Sequence, residues 1–291
     1  MEKHNKRHAY LILAHKNQQQ LELLLKLLDI EQNDIFIHID SRAKDISFTD
    51  LKKAVNRTKV FFTDRTSVSW GSYSIVNSTL VLLKAAKKEG PYSYYHLLSG
   101  QDLPLKPIAE INKFYDENDN KWNYLNMNTE DNEWSQTAVA ARLDYFSKWN
   151  KKMSTGGKFA ILTQPLRRII YIIKRRLTKY IAGAAWFDIN DELASLILKK
   201  EKWIYRRFKN FLLPDEAFLQ TIVYKYGLEK TCKPYMRYID WDNSGDGKSP
   251  YVFREHDFQR LVSSGCNFAR KFDMDVDDVI VKKMYQYILN L

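Results

Sequence analysis

Two acidic residues stand together in 214-PDEAFLQT-221. The run 214-PDEAFLQTIVYKYG-227 reads as a helix with Pro214 near its start and Gly227 near its end, which puts Asp215 and Glu216 in the first turn. Acidic side chains there need no chemical role, because the helix dipole favours them. The other reading is a general base on a rigid element, a carboxylate that accepts the proton of an attacking hydroxyl. Lys248 and Lys271 form a second pair. Lysines are ordinarily solvated, but these two lie in stretches rich in Gly, Ser or Asn. An ammonium there is a compact point charge for phosphate oxygens. Two together neutralise a leaving diphosphate as a divalent cation does elsewhere.

The stretch 240-DWDNSGDGKSPY-251 resembles a calcium loop at first. Asp240, Asp242, Ser244 and Asp246 alternate, and Gly245 stands sixth, where such a loop turns sharply. The twelfth position should be a bidentate Glu and is Tyr251. That leaves open whether the loop holds a metal or whether Lys248 supplies the charge that a metal supplies elsewhere.

These residues must be held by something. The first ~110 residues alternate apolar runs with helical patterns. Tyr10–His15, 35-IFIHID-40, Lys59–Thr63 and 92-YSYYHLLSG-100 read as strands. Gln18–Leu28 reads as a helix, and so does Ile75–Lys88, with Ile75, Thr79, Leu82 and Leu83 inward. Alternation of this kind gives an α/β layer with a parallel sheet, whose ligands bind at the carboxyl ends of the strands. That places His15, Asp40 and Asp102 at one rim. Neither GxGxxG nor GxxxxGK[ST] occurs, so the usual phosphate cradles are absent. Further on, 183-GAAWFDIN-190 reads as a strand entering a helix capped by Asn190 or Asp191, 267-NFARKFD-273 as a loop, and Asp275–Leu291 as a final helix.

The chain has 291 residues and a net charge of +11, which points to an anionic partner. Between 121 and 182, KKMSTGGK (151–158) reads as a mobile loop, and 165-PLRRIIYIIKRRLTKYIA-182 as a basic amphipathic helix. That helix is either an ordinary surface helix or one lying on an anionic membrane. No nucleic-acid module accompanies it, so no specific nucleic acid is expected. The opening MEKHNKRHAYLILAHKNQQQ does not read as a signal peptide, and no run is long enough to span a membrane. Two cysteines, Cys232 and Cys266, suggest a reducing cytosol, with a single bridge between them as the alternative.

The quoted pieces resemble a family. Together with 9-AYLILAHK-16, 35-IFIHIDSR-42, 68-VSWGSYSIV-76, 94-YYHLLSGQDLPLKP-107, 183-GAAWF-187 and 248-KSPYVFREHDFQRLVSSGCNFARKFD-273, they run in the order of glycosyltransferase family 14. This family comprises the core-2/I-branching β-1,6-N-acetylglucosaminyltransferases and the peptide O-xylosyltransferases. The resemblance implies a GT-A-like α/β fold with a mixed central sheet flanked by helices. It implies metal-independent, inverting transfer from a UDP-sugar, with Glu216 as the base and Lys248 and Lys271 on the diphosphate. Lys248 stands where the branching enzymes have Arg, which keeps the charge but loses the planar fork. His15, Asp40 and Trp70 fall at the nucleotide, and Asp102, Asp215 and Trp241 near the donor or acceptor sugar. GlcNAc is the first expectation for the sugar and xylose the second. The acceptor would be a glycan or a lipid-linked glycan, and no cofactor is implied.

One domain is expected over 1–291, with a nucleotide-binding half at 1–115 and an acceptor-binding and catalytic half at 116–291. The location expected is cytoplasmic, with peripheral contact at the inner membrane face through 165–182. Two other readings stay open: a metal-dependent GT-A transferase using Asp40 or Asp102, and a glycan- or membrane-binding protein of the same fold without turnover.

Overall fold

The computed structural model describes residues 6–117, 120–128, 179–245 and 249–291. Its centre is a seven-stranded mixed sheet ordered β3-β2-β1-β4-β7-β6-β8. Strands β1 (His8–Ala14), β2 (Asn33–Ile39), β3 (Lys59–Phe62) and β4 (Tyr94–Ser99) run parallel. Strand β7 (Phe187–Asn190) enters antiparallel to β4 and pairs antiparallel with β6 (Asn123–Leu125), which pairs parallel with β8 (Cys232–Lys233). The parallel expectation thus holds for the first half, and the sheet as a whole is mixed.

Alternation builds the core. Tyr10 and Ile12 of β1 face one apolar cluster with helix α1 (Gln18–Leu27), while Ala9 and Leu11 face a second with α3 (Tyr73–Glu89). Period-two side chains on a doubly covered sheet require this division. On α3 the buried face is Val76, Thr79, Leu80, Leu82 and Leu83; Ile75, expected inward, is only half-buried. The short α2 (Phe48–Lys53) lies beside β3, with Phe48 stacked on Phe62. Helix α4 (Ile108–Asp116) follows β5 (Asp102–Pro104).

A second, three-stranded sheet, β5-β10-β9, joins β5 to β10 (Phe268–Arg270) and β9 (Arg237–Ile239). The expected loop 267–273 therefore contains a strand. Its pairing partners lie more than 160 positions away at β5 and about 30 away at β9, so no local pattern announces it. Helices α5 (Asp191–Lys199), α6 (Glu201–Phe208), α7 (Phe218–Lys225), α8 (Phe258–Val262) and α9 (Asp278–Leu289) are the remaining α-helices among the described residues. Asn190 caps α5, its side-chain oxygen accepting the Leu193 amide at 3.0 Å. Asp277 caps α9, which starts three residues later than expected. Cys232 and Cys266 are free thiols, so the alternative of a bridge fails. The expected loop 151–158 and residues 165–178 of the expected basic helix lie outside the described residues. The last four residues of that span, 179–182, are not helical: Ile181 N–H donates to Thr221 Oγ1 at 3.1 Å and Asn128 N–H to Ala182 O at 2.8 Å.

Candidate functional site

The parallel register pairs Ala14 with Ile39, so β1 and β2 end side by side. The next residue of each is a sequence-derived candidate, His15 and Asp40, and the Asp40 amide donates to Ala14 O at 2.9 Å. The Asp40 carboxylate is buried and well supplied with donors. It accepts Arg42 N–H at 2.9 Å, Arg42 Nη2 at 2.9 Å and Val68 N–H at 3.2 Å. The Arg42 guanidinium holds its pKa down at about 2, against the opposing effect of burial. Val68 leads into the turn that carries Trp70, whose side chain is 68% exposed. His15 is exposed, yet its protonation is disfavoured by desolvation and by Lys16, Arg270 and Lys271, with Asp40 opposing. His15, Asp40 and Lys271 therefore share one neighbourhood.

Strand β10 brings the cations there. Antiparallel pairing sets Arg270 opposite Asp102. Arg270 Nη1 donates to Asp102 Oδ1 at 2.7 Å and to Ser99 Oγ, and its guanidinium lies 4.3 Å from the centre of the Trp186 ring. Asp102, 1% exposed, also accepts the Ser99 amide at 3.0 Å. Behind this pair lies a second. Arg237, on β9, reaches Asp188 of β7 at 2.7 Å and lies 3.8 Å from Asp102. Asp188 accepts from His96 at 2.9 Å, which in turn meets His8 at 2.9 Å. Burial pushes the His96 pKa down to about 4 despite Asp188, so its ring is neutral near pH 7. Burial alone would raise the Asp188 pKa, but Arg237 and His96 outweigh it and the group stays ionised.

Lys271 is half-buried beside this network. Its Nζ donates to Ser249 Oγ at 3.3 Å, and its carbonyl accepts the Phe253 amide at 2.9 Å. Burial, Arg270 and Lys16 lower its pKa, with Asp273 opposing. Lys16 is itself held above its ordinary value, against burial, by Asp273 at 2.6 Å and Asp275 at 3.0 Å. Arg270, Lys16 and Trp186 were not singled out in the sequence. Arg270 stands next to Lys271 in ARKFD, which was a usable signal once that segment is known to be a strand.

The acidic pair departs from expectation in one respect. Pro214–Glu216 is a separate 3₁₀ turn, and α7 begins only at Phe218. Asp215 and Glu216 are half-buried on that turn. Two contacts fix it. Leu213, at φ +52°, donates its amide to Gly71 O at 2.9 Å, and Gly183 N–H donates to Glu216 O at 2.8 Å. The first contact binds the Trp70 loop to the Glu216 turn. The second needs glycine: a Cβ on Gly183 would lie 2.0 Å from Asn126 O and 2.8 Å from Gln220 Nε2. Gln220, one turn into α7, reaches Asn126 O at 3.1 Å and Ala184 O at 2.7 Å.

The loop after β9 is closed by its own aspartate. Asp240 accepts Asn243 N–H at 3.0 Å, Asn243 Nδ2 at 2.9 Å and Arg260 Nη1 at 2.6 Å. Both of its carboxylate oxygens are thus engaged within the protein. Trp241 is 47% exposed on this loop. Residues 246–248, and so Lys248, lie outside the described residues. The following residue, Ser249, is the one that meets Lys271. Among the described residues no group of three His, Cys, Asp or Glu side chains is arranged to hold a metal ion.

The strand ends, the buried ion pairs and the 3₁₀ turn define an α/β protein with a polar rim at the carboxyl edge of a mixed sheet. The chain belongs to the Core-2/I-Branching enzyme family, whose model matches residues 8–262. It is 24% identical over 307 residues to Xylosyltransferase sqv-6 of Caenorhabditis elegans, covering 92% of this chain and 35% of that protein. It is 24% identical over 304 residues to Xylosyltransferase 2 of Rattus norvegicus, covering 94% of this chain and 33% of that protein. The chain thus spans about a third of the length of these curated relatives. Among solved structures, mouse Xyloside xylosyltransferase 1 in its apo form aligns at TM-score 0.40 and 11% identity, over 90% of this chain and 96% of that one.

Proposed function

We infer that the chain is a glycosyltransferase that moves a sugar from a UDP-sugar to a hydroxyl of a glycan acceptor, with inversion and without a metal. One observation carries this reading. Lys271 and Arg270 stand at the strand ends with Lys16, and burial together with these two neighbours lowers the Lys271 pKa against Asp273. Lys16 and Arg270 are paired with Asp273 and Asp102, whereas Lys271 Nζ donates to a neutral hydroxyl, Ser249 Oγ, at 3.3 Å; a diphosphate leaving group, which gains charge as it departs, suits such an ammonium. Family membership supports the transferase class.

The chemistry divides between the two sides of the rim. The acceptor oxygen attacks the anomeric carbon, the bond from that carbon to the UDP oxygen breaks, and Glu216 takes the hydroxyl proton. Lys271, with Lys248, stabilises the charge that develops on the diphosphate. His15, Asp40 and Trp70 contact the nucleotide, and Asp102, Asp215 and Trp241 the sugars. GlcNAc is the donor sugar we favour, xylose the next; the acceptor is a free or lipid-linked glycan. The metal-dependent alternative would place the ion on Asp40 or Asp102. Both carboxylates are already engaged, by Arg42 and Val68 in one case and by Ser99 and Arg270 in the other.

Calorimetric titration of UDP in EDTA, repeated with Mn²⁺, tests the reading. Binding in EDTA that Lys271→Ala weakens is the expected result. Binding only with Mn²⁺ would return the phosphate site to the aspartates, and no binding in either would leave the non-catalytic reading.

A further inference from the structure

Helix α6 lies in the basic stretch 199-KKEKWIYRRFK-209, where six Lys and Arg face one acid, Glu201. Glu201 is taken by Lys84 at 2.6 Å. Ile204 and Phe208 are fully buried, so they fix which face of α6 turns inward. Trp203, half-buried and edge-on to Phe208 at 6.2 Å, meets the end of α7 through Lys225. Lys225 Nζ is 5.7 Å from the Trp203 ring centre and 5.8 Å from that of Tyr226. Lys200 Nζ is 5.1 Å from Tyr226, and Arg207 is 6.0 Å from Trp203. The result is one continuous surface of alternating cations and aromatic rings. Tyr226 and its neighbour Tyr224 are each 37% exposed.

We propose that this surface, formed by Lys200, Trp203, Arg207 and the Tyr224–Tyr226 end of α7, docks the protein on an anionic lipid surface. Trp and Tyr rings with one apolar and one polar part favour the boundary between headgroups and acyl chains. Lys and Arg beside them are drawn to anionic headgroups and carry their aliphatic stems into the same boundary. The arrangement suits a single-stranded nucleic acid poorly. Bases bind by stacking on open ring faces, and here Lys225, Arg207 and Lys200 lie over those rings. The surface stands at the opposite end of α7 from the Glu216 turn. The proposal does not rest on the transfer reaction, nor on residues 165–178.

The test is co-sedimentation of the full chain with vesicles of phosphatidylcholine alone, or mixed with phosphatidylglycerol at roughly 7:3. The expected result is sedimentation with the mixed vesicles only, lowered about tenfold or more in Lys200→Glu/Lys225→Glu, two charge reversals at the surface. Tyr226→Ser, which leaves the charge intact, is expected to lower it less at low salt and more at high salt. Circular dichroism melting checks that both variants fold. Failure to sediment with mixed vesicles, or sedimentation that the charge reversals leave unchanged, overturns the proposal. Equal retention by single-stranded RNA, lost in the same variants, overturns it in favour of nucleic acid.

Discussion

In the proposed transfer Glu216 is the base and Lys271 a diphosphate ligand, and their environments differ. Glu216 sits half-buried on a turn held by the backbone of Gly183. Replacing it with Gln keeps shape and removes the base. Turnover should fall ~10²–10⁴-fold, while UDP affinity measured by calorimetry stays near that of the parent chain. Near-normal turnover would unseat Glu216 as the base. Lys271 has a pKa below that of an ordinary lysine because of burial, Arg270 and Lys16. Its charge is therefore lost at a lower pH than usual, and UDP affinity should decline as pH rises toward 10, earlier than for an exposed lysine. The same shift makes the folded state prefer the neutral amine, so its contribution to stability is adverse at low pH and recovers on raising pH. Asp40 has the opposite sign. Its pKa falls from 3.8 to about 2, so the stability it lends is full above the first value and is lost as pH falls to the second. Asp40→Asn should flatten the melting temperature against pH in that window. The sequence made Glu216, Lys271 and Asp40 visible because the short motifs around them are local. It did not reveal Arg270 or Lys16, whose partners, Asp102 and Asp273, are distant in sequence.

At the scale of elements, two contacts place the site and both are testable. The segment before β7 passes so close to Asn126 and Gln220 that Gly183 has no room for a side chain. Gly183→Ala sets a Cβ against Asn126 O and Gln220 Nε2, shifts the backbone that holds Glu216, and should destabilise by about 1–3 kcal/mol. A urea melt reads the loss, and a parallel drop in turnover would mark the displaced Glu216. The second contact joins the two sheets. Asp188 is 0% exposed and faces Arg237. Arg237→Met leaves that carboxylate buried without its cation, with the His96 ring as its remaining partner, a change of about 3–5 kcal/mol. A melt within experimental error of the parent would show that the pair contributes nothing. Strands β1 to β4 and helices α1 and α3 were legible, because apolar runs and a 3.6-residue period report burial directly. Strand β10 and the 3₁₀ turn were not. A three-residue strand has too little pattern of its own, and the turn is imposed by the hydrogen bond from Leu213 to Gly71, not by the helix-forming residues after it.

Across the whole molecule, one sheet serves two apolar clusters. Strands β1, β2 and β4 send alternate side chains to each, so neither cluster can dissolve without opening the strands that build the other. Unfolding by urea should be a single transition seen alike by Trp fluorescence and far-ultraviolet circular dichroism. Two separated transitions would mean that the halves expected at 1–115 and 116–291 fold as units. The charge of +11 is distributed unevenly, with a cationic rim at the strand ends and a cationic, aromatic surface at α6 and α7. These two surfaces should respond differently to salt: UDP binding at the half-buried rim weakly, vesicle binding at the exposed surface strongly.

The sequence by itself determined the α/β class and the first four strands with their helices, and it singled out the acidic pair and the two lysines as candidates. Each of these is encoded within a few residues by hydrophobic period, turn chemistry or a short motif. Only the tertiary structure decided what stands beside what. Asp102 became the partner of Arg270 through an antiparallel register, Arg237 came to neutralise Asp188 between two sheets, and the Glu216 turn was tied to Gly71 and Gly183. Those relations depend on contacts between segments separated by tens to hundreds of positions. Burial then sets their strength, because a charge removed from water must find its partner nearby.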